Sequence, residues 1–197
     1  MEIKYIKNFI SEDLGRVISS NFNYLSDLNL HYISDQAPLS KSFVGDLVSD
    51  MILLSKTEEV SNIVGDEILP VYSYGRIYEK NDELVIHKDS EYCEIAITCT
   101  IDFPFYNEPL YIANKSYLEY NVEDSKKDGN YTKYNIQKGD ALIYPGHTHY
   151  HWREPFKQDS YIQLFLFYVR KNGKYNHHYM KQRPNFGFPL FNIENFS

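Results

Sequence analysis

The residues best suited to chemistry are His87 and Asp89, in the run Glu83 to Glu94, ELVIHKDSEYCE. The run reads as strand, and side chains at i and i+2 of a strand project from one face. An imidazole nitrogen and a carboxylate oxygen can therefore converge on one metal ion, and a third ligand has to come from elsewhere. Gly139 to Phe156, GDALIYPGHTHYHWREPF, offers His147, His149 and His151 within five residues, after a second apolar strand. Two histidines and one carboxylate on one side of a metal, with the other positions open, suit a non-haem Fe(II) site that takes further ligands. A lone His-x-Asp carries little weight in a chain with seven histidines, and an exposed His-Lys-Asp is ordinarily a solvated strand end. The three distal histidines alternate, so in an extended segment all three face one way and make a rival metal site by themselves.

Order along the chain adds what the tripeptide lacks. A tyrosine-rich strand, His-x-Asp, a long alternating strand, Gly-Asp-Ala-Leu-Ile-Tyr-Pro-Gly, and a histidine with proline four residues on follow one another between Pro70 and Arg170. This arrangement covers about half the chain and resembles the 2-oxoglutarate and Fe(II)-dependent dioxygenases, specifically their prolyl 4-hydroxylase-like branch. The resemblance implies a double-stranded β-helix, a jelly-roll or cupin-like barrel. It implies Fe(II), 2-oxoglutarate and O₂, with ascorbate as an auxiliary reductant, and hydroxylation of a C–H bond in a prolyl or other amino-acid-like substrate. In that branch the distal histidine is followed by proline four positions later, and His151 with Pro155 meets the rule. The resemblance thus assigns His87, Asp89 and His151 to iron and leaves His147 and His149 at the surface or the cavity rim. The competing class is a non-oxidative cupin: a zinc or manganese enzyme built on His147, His149 and His151, or a binding barrel.

The far carboxylate of 2-oxoglutarate needs a cation or hydroxyl donors, because an unpaired buried carboxylate is costly. Family members carry Lys or Arg ten residues after the distal histidine; this chain has Tyr161 there. Tyr78, nine residues before His87, matches a tyrosine that binds the same carboxylate in related enzymes. Arg76 lies two residues earlier on the same strand face, and Arg153 lies two residues beyond His151, so both are cationic candidates for this cofactor-binding role.

These residues have to be positioned by one domain, since 197 residues bury one good core and not two comfortable ones. The composition is 43% hydrophobic, with 19 Tyr and 12 Phe, which favours strands. The pattern divides into a mostly helical part over 1–69, a jelly-roll core over 70–170 and a tail over 171–197. Ser11 reads as the cap of a helix with Leu14, Val17, Ile18, Phe22 and Leu25 at helical spacing. Residues Ser26 to Lys41 read as loop, and a second helical region spans about Ser42 to Val64 with a break near Ser55 to Thr57. Strands are expected at Val71–Glu79, Glu83–His87, Tyr92–Phe103, Pro109–Ala113, Ser116–Val122, Tyr131–Ile136, Ala141–Tyr144 and Ser160–Arg170. Odd positions of Tyr92–Phe103, including Cys93 and Cys99, share one face, and Thr98, Thr100 and Asp102 share the other, toward the barrel cavity. The two cysteines, roughly 20 Å apart in an extended run, cannot pair and read as buried thiols of a reduced compartment. A charge of −7 argues against nucleic acid as a partner. MEIKYIKNFISEDLGR has no apolar core of signal-peptide length, and no run approaches a membrane span, so the expectation is a cytoplasmic protein acting on a small molecule or peptide.

Overall fold

A computed structural model describes residues 1–116, 126 and 129–180. The chain opens with β1 (Lys4–Ile6), α1 (Glu12–Asp27), β2 (Tyr32–Ser34), β3 (Ala37–Val44), α2 (Leu47–Ser55) and α3 (Thr57–Val64). It continues through β4 (Ile68–Tyr78), β5 (Leu84–His87), β6 (Ile95–Asp102), β7 (Leu110–Ala113) and β8 (Tyr131–Tyr134). β9 (Ala141–Tyr144), β10 (His151–Arg153), β11 (Tyr161–Arg170) and a 3₁₀ turn at Asn176–His178 complete it. Two antiparallel sheets result: seven strands ordered β1-β9-β6-β11-β4-β3-β2, and four ordered β5-β10-β7-β8. This is the expected double-stranded β-helix, with helices on one outer face.

Local chemistry explains the elements. The Ser11 side chain caps α1 by accepting from the Leu14 amide, and Asp46 caps α2 by accepting from the Ser49 amide. The expected break falls at Lys56, between α2 and α3, and Gly65 ends α3 in the left-handed region at φ 75°. Helix faces bearing Ile18, Phe22, Ile52, Leu53 and Val60 pack on Ile97, Cys99, Leu164 and Leu166 of the large sheet. A second apolar cluster, including Tyr78, Ala96, Leu110, Ile112, Tyr144 and Phe167, fills the space between the sheets. β4, β6 and β11 are buried on both faces along most of their length, so even their polar positions, such as Ser73, Thr98, Thr100 and Gln163, are enclosed. Trp152 is a packing residue, stacked on Tyr111 with ring centres 5.5 Å apart. Asp140 is likewise structural: its carboxylate accepts from the Asn8 amide at 2.8 Å and the Tyr5 hydroxyl at 2.7 Å, tying down β1.

Three sequence expectations need correction. Ser26 to Lys41 is not all loop: it contains β2 and most of β3, and Phe43 and Val44 extend β3 to pair with Gly75 and Tyr74 instead of starting a helix. Sheet pairing overrode weak local propensity there. Cys93 precedes β6 and lies in the inner cluster, while Cys99 lies in the helix-facing one, so they do not share a face. Both are free thiols. Of the strand expected at Ser116–Val122, only the first residue lies within the described residues, and the aromatic tail Pro184 to Phe196 lies outside them. Among the described residues, no helix is long and apolar enough to cross a membrane.

Gly75 joins the helical layer to the sheet: a Cβ there would overlap the Phe22 ring. Gly75→Ala should lower unfolding free energy by about 1–3 kcal/mol in urea titration. Phe22→Leu should soften the Gly75→Ala penalty in the double variant, whereas strictly additive losses would place the strain elsewhere.

Candidate metal centre

The site begins with strand register. β10 pairs with β5 so that His151 stands directly opposite His87, and their ring centres are 4.3 Å apart. Each Nδ1 meets a carbonyl two residues earlier in its own chain segment, Val85 O at 2.7 Å for His87 and His149 O at 3.0 Å for His151. With Nδ1–H donating in this way, both Nε2 atoms are left as lone-pair donors on the inner side. Asp89 completes the group by a different route from the expected one. β5 ends at His87, so the pleat does not bring Asp89 round; the Asp89 amide instead donates to Gly146 O at 2.9 Å, which folds the loop back over the histidines.

The outcome is compact. Asp89 Oδ1 lies 3.7 Å from each Nε2, and the three ligand atoms all fall within 4.8 Å of one another. Asp89 Oδ2 is buried and makes no hydrogen bond among the described residues. A buried carboxylate oxygen with no donor beside two imidazole lone pairs is a donor set waiting for a cation, and the residues fit a divalent metal.

Electrostatics agree with that fit. Burial, then the neighbouring His87, lowers the His151 pKa to about 4, so the ring is neutral at pH 7. Burial alone would raise Asp89, but His151, His87 and Arg76 outweigh it and hold the carboxyl below its usual range. Neutral imidazole and ionised carboxylate are the forms a metal requires.

The rival three-histidine site is not built. Pro145 to His149 forms a turn in which the Thr148 and His149 amides both donate to Pro145 O, so the alternation of a strand is lost. His147 stands edge-on to Tyr175 at 5.9 Å, and His149 Nδ1 meets Thr148 Oγ1 at 2.9 Å. Among the described residues, His87, Asp89 and His151 are the one cluster of three metal-ligating groups.

A cavity of about 130 Å³ opens on the triad, walled by Arg76, Tyr78, Leu110, Tyr144, Phe165 and Phe167 among others. Arg76 is buried, and its partners are all hydroxyls: Tyr74 at 2.6 Å, Tyr78 at 3.2 Å, Ser42 at 3.3 Å and Ser34 at 3.4 Å. Arg153 is buried too but does not line this cavity; it donates to the Glu108 carbonyl and to Gln163 Oε1, and its guanidinium lies 5.4 Å from the Tyr161 ring centre. Tyr161 pairs in register with Tyr78 and donates to Asn107 Oδ1 at 2.7 Å. Sequence reasoning missed Tyr74, though its alternation with Arg76 and Tyr78 was visible, and Gly146, a cradle for Asp89 Oδ2 that a Cβ would fill. Gln163, opposite Arg76 across β4 and β11, had no local signature.

Fold and centre together define a class of barrel shared with the 2-oxoglutarate and Fe(II)-dependent oxygenases. A prolyl-4-hydroxylase of Pseudomonas putida matches with TM-score 0.65 at 10% identity, over 85% of this chain and 92% of its own. HygX of Streptomyces hygroscopicus, solved with nickel and 2-oxoglutarate bound, matches with TM-score 0.63 at 12% identity, over 98% and 94%. The viral collagen prolyl hydroxylase vCPH of Paramecium Bursaria Chlorella virus-1, solved as a 2OG complex, gives 0.56 at 15% identity, over 85% and 96%. At such identities the likeness establishes the fold. The chain matches no family model and no curated protein sequence.

Two outcomes follow. Fe(II) titration should show affinity lost in His87→Ala, Asp89→Ala and His151→Ala, retained in His147→Ala and His149→Ala, and reduced about tenfold or more in Gly146→Ala, which displaces Asp89. Retained affinity in His151→Ala with loss in His149→Ala would move the distal ligand. Separately, the folded His151 pKa of about 4 lies below the ordinary 6.5, so its contribution is complete above pH 6.5 and is lost as pH falls through 4. Urea unfolding of the metal-free chain should show roughly 3 kcal/mol of this loss between pH 7 and pH 4, flattened in His151→Leu.

Proposed function

We propose that this chain is an Fe(II)- and 2-oxoglutarate-dependent oxygenase that hydroxylates a C–H bond of a small-molecule or peptide substrate. The observation that carries the reading is the His87, Asp89 and His151 cluster, with the buried Asp89 Oδ2 unpartnered among the described residues, opening on a cavity that also contains a guanidinium hydrogen-bonded to hydroxyls. Fe(II) with 2-oxoglutarate and O₂ would supply the oxidising power, the oxo acid leaving as succinate and CO₂. His87 and His151 would hold the metal through Nε2, and Asp89 would balance part of its charge.

Arg76 is the anchor this reading assigns to the far carboxylate, replacing the cation missing at Tyr161. Its hydrogen-bond partners are neutral, and the Tyr74 and Tyr78 hydroxyls lie beside the guanidinium at 2.6 and 3.2 Å. Phe165, Phe167, Leu84 and Leu110 exclude water from the same space. An amino-acid-like substrate, prolyl in the simplest case, follows from the motif resemblance, and the net charge of −7 disfavours nucleic acid. A cytoplasmic setting suits two unpaired buried cysteines.

Succinate release from 2-oxoglutarate, dependent on Fe(II) and O₂ and absent in Asp89→Ala, tests the activity; turnover without O₂, or none with Fe(II), would overturn it. Arg76→Ala should weaken 2-oxoglutarate binding about tenfold or more, since a charge-assisted bond contributes roughly 1.5–3 kcal/mol. Normal binding in Arg76→Ala with loss in Arg153→Ala would put the anchor on β10 instead.

A further inference from the structure

Beside the metal cavity, a groove of about 530 Å³ is lined by Tyr32, Tyr72, Tyr74 and Tyr92 together with Asp35. Gln36, Tyr72 and Tyr74 line both spaces, so the groove runs into the cavity over the triad. Three of the four phenol oxygens are occupied by protein. Tyr74 accepts from Arg76 and also bonds Tyr32, and Tyr72 contacts Cys93 Sγ at 3.5 Å. What remains for a ligand is the ring surface not covered by Phe167, which stacks on Tyr72 at 4.5 Å, or by His178, which lies 4.9 Å from Tyr92. The rings meet at steep angles, 87° between Tyr32 and Tyr74 and 69° between Tyr72 and Tyr92, so they make corners and not a flat stacking platform. Planar bases and aromatic rings need a platform; a compact tetrahedral group fits a corner.

Charge selects among compact groups. Among the described residues lining this groove, Asp35 is the one charged side chain. Tyrosine faces carry negative quadrupole potential and attract ammonium groups, and the net charge of −7 favours the approach of cations. We propose that the substrate is an organic cation, whose ammonium or quaternary ammonium group lies against these tyrosines near Asp35 while an adjoining C–H bond reaches the cavity over the triad. The proposal rests on the oxygenase reading for the second half of that statement and on the groove alone for the first.

Arg76 adds a coupling. Its guanidinium lies 5.1 Å from the Tyr74 ring centre and opposes a cation in the groove until an anion neutralises it. A cosubstrate carboxylate on Arg76 would do so, and by linkage each ligand strengthens the other.

The probe is choline against its uncharged isostere 3,3-dimethylbutanol, each titrated into the full chain loaded anaerobically with Fe(II), with and without 2-oxoglutarate. Choline should bind about tenfold more tightly than the isostere, and 2-oxoglutarate should widen the difference. Asp35→Asn and Tyr92→Leu should each weaken choline about threefold to tenfold, while Tyr92→Phe, which keeps the ring face, should bind as the parent does. Thermal unfolding of each variant separates lost binding from lost fold. Equal affinity for choline and the isostere, or undiminished choline binding in both Asp35→Asn and Tyr92→Leu, overturns the proposal. The readout is binding, so choline selectivity without O₂ consumption would sink the oxygenase reading and keep the groove. O₂-dependent succinate release with no preference for the cation would do the reverse.

Discussion

The pairing of β10 with β5 is the constraint on which the site depends. It places His151 across from His87 at contact distance, although 64 residues separate them, and it leaves both Nε2 atoms on the inner side. Neither imidazole would hold a metal tightly alone. Asp89 supplies the charge, and it reaches the histidines because its amide is bound to Gly146 O, immediately before His147. The small sheet therefore carries the ligands, and the turn after β9 in the large sheet fixes the carboxylate. Breaking either contact would leave three separated polar groups where a metal needs convergence.

Uncompensated charge gives the interior its direction. A buried carboxylate oxygen without a donor and a buried guanidinium among hydroxyls are both costly arrangements in a protein without ligands. They lie in one cavity, where a cation would relieve the carboxylate of Asp89 and an anion would relieve the guanidinium of Arg76. The polar pair Arg153 and Gln163 shows the alternative. It is equally buried and its partners, the Glu108 carbonyl, Thr98 and Thr100, are also neutral, but it lies off the cavity and holds β6, β10 and β11 together.

Much of this was legible in the order of residues. The period-2 runs, the capped helix at Ser11, the His-x-Asp and the histidine followed by proline are local features; they indicate element type, and the resemblance they carry implied His87, Asp89 and His151 as the ligand set, three residues that the fold brings together. What only the tertiary structure decided came from contacts distant in sequence. β2 and β3 form because the edge of β4 is available to pair, not because Tyr32 to Val44 prefers strand strongly. Cys93 and Cys99 part company because the chain bends at Glu94, where the carboxylate binds Arg170, 76 residues away. Arg76 and Arg153 were equal candidates by strand parity. Position relative to the cavity separated them, since parity says which face a side chain shares but not whether a cavity lies in front of it. His147 and His149 looked like ligands by the same parity and failed because Pro145 to His149 turns, a backbone choice made by its own hydrogen bonds to Pro145 O.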